Sequence, residues 1–280
     1  HLILIAVVAG VNLRCSCMST LQLARLWARV EEFAVNHICG FCTSKRAVPS
    51  VLAKLAFHGS SSLMRAELGE APIWDARNLK LLWADILHAK IYEYDPVLGT
   101  STEHDLSKQT GIISTIVPVK GTAATVIVGT REGFALYDLS CRSFQNHASN
   151  GTHHGEHVRM NDGKCDPQGR LWLGSIAREG PGSAEIVSGG SSLYVLETWA
   201  GTPTKVLDAV SISNGIAWSA DGGTLYFIDS LTCNVDAFDF DSNAPSHSKL
   251  ACNRRSVIKV SDGFPPVPDG CAIDVHGMLW

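Results

Sequence analysis

The chain has 280 residues, 45% of them hydrophobic and 18% charged, with a formal net charge of −4. That balance excludes an intrinsically disordered chain, which lacks the apolar mass to bury a core. The mild acidity offers no basic field to nucleic acid or to an anionic membrane surface, so neither is expected as a partner.

The first sixty residues stand apart from the rest. Residues 2–11 (LILIAVVAGV) are apolar but too short for a bilayer, which takes about 20 residues. They read as a signal-peptide core, a buried strand or a non-native segment. Residues 21–35 (LQLARLWARVEEFAV) set Leu23, Leu26, Trp27, Val30 and Phe33 at helical spacing, which predicts an amphipathic helix. Cys15, Cys17, Cys39 and Cys42 lie close to His37. A single CxxC without a second spaced pair is too little for a zinc site. Cys141, Cys165, Cys233, Cys252 and Cys271 show no pairing rhythm; reduced thiols and a cytoplasmic location are expected, with an organellar or secreted one left open. Residues 1–62 are therefore expected to form a partly helical N-terminal extension, and residues 63–280 the main domain.

From Ala71 onward the rhythm changes. Short β-rich runs recur at residues 80–85 (KLLWAD), 125–129 (TVIVG), 170–174 (RLWLG), 224–229 (TLYFID) and 278–280 (MLW). Their centres are separated by about 44 to 54 residues, the length of a four-stranded propeller blade. Most follow a turn rich in Asp, Asn and Gly, as at residues 75–78, 166–169, 219–223 and 274–277. The expected fold is all-β, a propeller with a little over four blades in this chain; a sandwich or barrel also uses many short strands but not at this period. The last run, Leu279 and Trp280, is apolar, so the chain is expected to stop before the ring closes.

Four polar motifs precede these units: Gly69-Glu70-Ala71-Pro72, Arg159-Met160-Asn161-Asp162-Gly163, Ser213-Asn214-Gly215 and Pro268-Asp269-Gly270. Glu70 precedes Leu82 by 12 residues, Asn161 precedes Leu171 by 10, Asn214 precedes Leu225 by 11 and Asp269 precedes Leu279 by 10. A near-constant offset places all four at the start of an innermost strand, converging on one axis. Two carboxylates and two amide oxygens suit a hard divalent cation. Taken singly, each has a plainer reading: Glu70 is a strand-end charge, and Asn161-Asp162-Gly163, Asn214-Gly215 and Asp269-Gly270 are turns. Asp162 and Asp229 read as structural, and His153-His154-Gly155-Glu156-His157 as a solvated loop.

Five segments in order carry a family likeness over some 210 residues. They are the GEAPIW start at Gly69, RMNDGKCDPQGR at Arg159, ISNGIAW at Ile212, YFIDSLTCNVDAFDFD at Tyr226, and Pro268-Asp269-Gly270 leading into Leu279-Trp280. Together they resemble the family of senescence-marker protein (regucalcin), gluconolactonases and luciferin-regenerating enzymes. The resemblance implies a six-bladed propeller, here reaching about four and a half blades, around one divalent metal ion (calcium, zinc, manganese or magnesium). It implies Glu70, Asn214 and Asp269 as metal ligands and Arg159 and Asn161 as substrate-binding residues. Glu179 is implied as a substrate contact, although its surroundings depart from the family pattern. The implied function is hydrolysis of sugar lactones in the manner of a gluconolactonase, the metal polarising the lactone carbonyl and Asp269, or a metal-bound water, acting in hydrolysis. A calcium-binding regulatory propeller without turnover, or an esterase or phosphoesterase on the same scaffold, is the alternative.

Overall fold

A computed structural model of the chain describes residues 66–147, 157–180, 183–244, 250–260, 267–274 and 276–280. The expected N-terminal helix, the early cysteines and the histidine-rich loop up to Glu156 lie outside these residues. β1 (Gly69–Asp75), β2 (Lys80–Asp85), β3 (Lys90–Asp95) and β4 (Thr100–Asp105) form the first antiparallel sheet in chain order. β5 (Ile116–Pro118), β6 (Thr125–Gly129), β7 (Phe134–Asp138) and β8 (Phe144–Asn146) form the second. β9 (Val158–Cys165), β10 (Leu171–Ala177), β11 (Ser191–Leu196) and β12 (Thr204–Val210) form the third. β13 (Ser213–Trp218), β14 (Thr224–Asp229), β15 (Asn234–Phe240) and β16 (Ala251–Lys259) complete the fourth. These four sheets are blades of an all-β propeller, and the start of a fifth unit is marked by the bridge between Ile273 and Leu279. The one helical turn among the described residues is a 3-10 turn at Ser230–Thr232. None of them forms a helix long and apolar enough to cross a membrane.

Each blade is folded by its turns and then joined to the next. Asp75, Asp95, Asp138, Asp166 and Asp274 all accept the backbone N–H two residues on, the side-chain mimicry that makes aspartate a turn residue. Two of these aspartates also receive an arginine that reaches into the following blade. Arg77 donates to Asp75 and, through Nη1, to Val119 O at 3.1 Å and Thr125 O at 2.8 Å. Arg170 donates to Asp166 and, through Nη1, to Ser242 O at 3.2 Å. The Asp166 carboxylate takes the Trp172 indole N–H at 3.0 Å, and Asp274 takes that of Trp280 at 3.0 Å. The fifth unit therefore repeats the internal bond of the third.

Apolar side chains fill the spaces between blades. Leu82 and Ile91 of the first blade pack with Ile116, Val126 and Tyr137 of the second. Val117 and Phe134 meet Met160, Leu171 and Leu173 of the third. Trp172, Leu193 and Val195 meet Ile216, Leu225, Phe227 and Phe238 of the fourth. Burial of this kind is the main favourable term in forming the array. At Gly174 the third blade comes so close to the fourth that a methyl group would overlap the Ser213 side chain.

A second use of aspartate ties the strands that face the site. Asp85, at the end of β2, accepts the backbone N–H groups of Glu67 at 3.0 Å and Leu68 at 3.3 Å. Asp229, at the end of β14, accepts those of Ser211 and Ile212, both at 3.0 Å. In each blade the carboxylate satisfies donors just ahead of the innermost strand. This gives Asp229 the structural role expected of a carboxylate ending an apolar run.

Candidate functional site

The innermost strands β1, β5, β9 and β13 lie side by side, β1 against β5, β5 against β9 and β9 against β13. Three of them break register where a polar residue stands. The pairing of β1 with β2 slips between Glu70 and Ile73, and Ala71 takes a left-handed φ of 51°. The pairing of β9 with β10 slips between Leu173 and Ser175, opposite the stretch that holds Asn161 and Asp162. The pairing of β13 with β14 slips between Ser213 and Ile216, around Asn214. A bulge takes a side chain out of strict alternation and re-aims it. The offset seen in the sequence thus corresponds to one bulge per site-bearing blade.

These side chains form a continuous hydrogen-bonded chain. Arg159 Nη1 donates to Asn161 Oδ1 at 2.7 Å and to Met160 O at 3.0 Å. Asn161 Nδ2 donates to Asn214 Oδ1 at 2.7 Å and to Ser213 O at 2.8 Å. Asn214 Nδ2 donates to Ser230 Oγ at 2.7 Å, and Ser230 Oγ donates to Pro268 O at 2.7 Å. The relay therefore runs from Arg159 to the residue before Asp269. The Gly215 N–H donates to Asp269 O at 3.0 Å, and a methyl group on Gly215 would stand 2.8 Å from that oxygen and from Cys271 Sγ. Glycine is required there by the close approach. Lys164 Nζ secures the same segment by donating to Cys271 O at 2.9 Å.

Charge is concentrated on both sides of this chain. Burial pushes the Glu70 carboxyl up to about 7, the charges of Asp269 and Asp162 push the same way, and Arg159 opposes them. Burial raises Asp269 against the pull of the Gly270 N–H. Asp162 is raised by burial first, with Lys164 and the Gly163 N–H opposing and the charge of Asp269 adding to the rise. Burial lowers Arg159 to about 10, reinforced by Arg178 and Arg131 and opposed by Glu70. Three carboxylates thus share a poorly solvated space, where like charges resist joint ionisation.

The donors in this space are carboxylates and amides, which fits a hard divalent cation better than a thiolate-loving one. Three carboxylates against Arg159 and Lys164 leave an excess of negative charge that a divalent cation would neutralise. Glu70, Asn214 and Asp269 are the residues that could hold such an ion. Among the described residues no three His, Cys, Asp or Glu side chains close into a metal-holding group. The third donor has to be an amide, and the Asn214 oxygen here accepts from Asn161.

Of the residues singled out in the sequence, Glu70, Arg159, Asn161, Asn214 and Asp269 come together. Glu179 stands exposed after β10, its backbone N–H bonded to Glu185 O at 3.1 Å. None of the described contacts links its side chain to Arg159 or Asn161. The sequence reading left out Asp162, taken for a structural turn residue, whose charge acts on Glu70 and is acted on by Asp269. It also missed Ser230, and Thr115 ahead of β5. Thr115 precedes Val126 by 11 residues, within the range of 10 to 12 of the others. It is buried, and its hydroxyl donates to Gly163 O at 3.4 Å.

Fold and site together define a β-propeller whose polar centre draws residues from successive blades at register breaks. Residues 68–280 match the model of the SMP-30/gluconolactonase/LRE-like region, and the chain belongs to that family. It is 34% identical, over 77% of this chain and 68% of the relative, to a Bacillus subtilis protein named as a sugar lactone lactonase, YvrE. Among solved structures it is similar to a luciferin-regenerating enzyme, with a TM-score of 0.68 and 29% identity over 78% of this chain and 70% of that one. It is also similar to a protein titled as calcium-binding, regucalcin, from Agrobacterium tumefaciens, with a TM-score of 0.65 and 25% identity over 78% and 68% of the two chains. The family supports a lactonase-like function acting on a small molecule.

Proposed function

We propose that the protein hydrolyses sugar lactones with the help of one divalent metal ion held by Glu70, Asn214 and Asp269. The observation that carries this reading is the convergence of the Glu70, Asp162 and Asp269 carboxylates beside the Arg159–Asn161–Asn214 relay. Arg159 is a donor with a planar fork, and Asn161 offers both a donor and an acceptor, so the pair suits the hydroxyls of a sugar ring. Holding the ring by these groups fixes the ester relative to Asp269, the positioning part of catalysis. Asp269 receives a proton from the attacking water as the carbonyl carbon is attacked. The ring C–O bond then breaks, the ring oxygen takes that proton back from Asp269 and leaves as a hydroxyl, and the product is an open sugar acid. A calcium, zinc, manganese or magnesium ion, when bound, supplies positive charge to the carbonyl oxygen as it gains negative charge. Glu179 is the outer substrate contact in this proposal, reached from the loop after β10.

The test is turnover of glucono-δ-lactone by chelator-treated protein to which each of the four ions is returned singly. Metal-dependent hydrolysis is expected, and Asp269→Ala should lower it by at least about a hundredfold, the scale of losing one major transition-state contact. Unimpaired hydrolysis by Asp269→Ala would overturn the assignment. Calcium uptake with no turnover of any lactone would favour a binding protein instead.

A further inference from the structure

The strand β9 carries charge of opposite sign toward its two ends. Arg159 lies near its start and Asp162 three residues on, about 10 Å along an extended chain. Two more arginines are brought to the Arg159 end by the backbone. The Met160 N–H donates to Thr130 O at 3.1 Å, which sets Arg131, the next residue after Thr130, against the start of β9. The Arg178 N–H donates to His157 O at 3.0 Å, and Ile176 pairs with Arg159 across the β9–β10 ladder. Arg178 Nη1 also donates to Ser183 O and Ala184 O, each at 3.0 Å. Burial and both charges disfavour the protonated form of Arg159, and the Glu70 carboxylate opposes them without offsetting them.

Among the described residues no carboxylate stands within ion-pair distance of Arg131, Arg159 or Arg178; the acceptors given to Arg159 are an amide and a backbone carbonyl. A poorly solvated guanidinium is costly without a counter-charge, and two like charges beside it add to the cost. A neutral sugar lactone would leave this cost in place. A phosphate or carboxylate would relieve it, with the planar, forked geometry that guanidinium groups match best.

We propose that Arg131, Arg159 and Arg178 form a subsite for a negatively charged group carried by the lactone away from its ring ester. The substrate class is then an anionic sugar lactone, its charge a phosphate or a carboxylate. The ester end faces the carboxylate pole and the anionic end the arginine pole. This deepens the lactonase reading and rests on it for the ester, but not for the anion.

The test compares kcat/KM for 6-phosphoglucono-δ-lactone and glucaro-1,4-lactone with that for glucono-δ-lactone, using the full chain. A preference of at least about tenfold for one of the charged lactones is expected, and it should shrink as salt is added. The lactone favoured tells phosphate from carboxylate. Arg131→Gln with Arg178→Gln should bring the ratio toward one. A second arm measures equilibrium binding of 6-phosphogluconate and glucarate against gluconate by calorimetry. Tighter binding of a doubly anionic acid, lost in the double variant, supports the subsite even if no lactone is turned over; that outcome removes the hydrolase reading alone. Turnover with no preference for charge, or a preference unchanged in the double variant, overturns the subsite and leaves the hydrolase standing. Gluconate binding as tightly as both doubly charged acids would also overturn it, since the arginines would then serve the carboxylate released from the ring.

Discussion

Asn161 uses both ends of its amide: the oxygen accepts from Arg159, and the nitrogen donates to Asn214 Oδ1 and Ser213 O. A carboxylate has the same shape but no donor. Asn161→Asp would remove two donated hydrogen bonds from a buried position and bring a fourth negative charge to Glu70, Asp162 and Asp269. Losing such bonds costs about 1–3 kcal/mol, and about 1.4 kcal/mol is a factor of ten in rate. The expected result is a fall in kcat/KM of about ten- to a hundredfold, measured on the lactone that wild-type turns over best. Wild-type kinetics in this variant would show that the relay does not organise the site. Glu70, Asn161, Asn214 and Asp269 stand out in the sequence by one offset and one choice of residue type, and only the resemblance divides them into ligands and substrate contacts. Thr115 has the offset but not the residue type, so a search for carboxylates and amides passes it by. Arg131, Arg178 and Ser230 could not be found by spacing, because their places depend on which turns meet β9 and β13. Glu179 follows a different rule again: the resemblance selected it, and its described backbone bond to Glu185 O leads away from the relay.

At the scale of elements, the same residue type does two separate tasks. Turn aspartates such as Asp166 and Asp274 were readable because they open short breaks that end in glycine. The strand-end aspartates were partly readable: Asp229 ends an apolar run, which demands a partner, but the donors it meets lie in the link between β12 and β13. The bulges were not readable, since an extra residue in a ladder leaves the alternation of flanking residues unchanged. Asp85 offers a direct test of the strand-end role. Burial works to raise its pKa, but hydrogen bonds from the Glu67 N–H, His88 and the Leu68 N–H outweigh burial and leave it lowered. A carboxylate whose folded pKa is lowered contributes stability above its unfolded pKa and loses that contribution as pH falls through the folded value. Asp85→Asn is expected to cost about 1–3 kcal/mol near pH 7. In urea unfolding series the gap from wild-type should stay constant down to about pH 5 and then narrow toward pH 3. A gap that does not change with pH would mean that the charge of Asp85 contributes nothing.

For the whole molecule, three bodies of packed side chains join four blades, and polar straps from Arg77 and Arg170 reinforce two of the junctions. The site crosses those junctions, with Glu70 on the first blade, Asn161 on the third, Asn214 on the fourth and Asp269 beyond it. An ion held across them should therefore stabilise the array as well as the site. Calcium at about a hundred times its dissociation constant is expected to add about 2.7 kcal/mol to unfolding. Thermal melts with and without chelator should show the gain in wild-type and none in Asp269→Ala; equal gains in both would place the ion elsewhere. The strand-end aspartates have a further consequence. Because Asp85 and Asp229 satisfy the backbone ahead of β1 and β13, the polar position that follows in those two blades is not needed to cap those donors. Glu, Thr, Asn and Asn occupy it in turn across the four blades. In the first and fourth blades the frame and the wheel it carries are thus separate parts, as in a combination lock, whereas the third blade's Asn161 belongs to both.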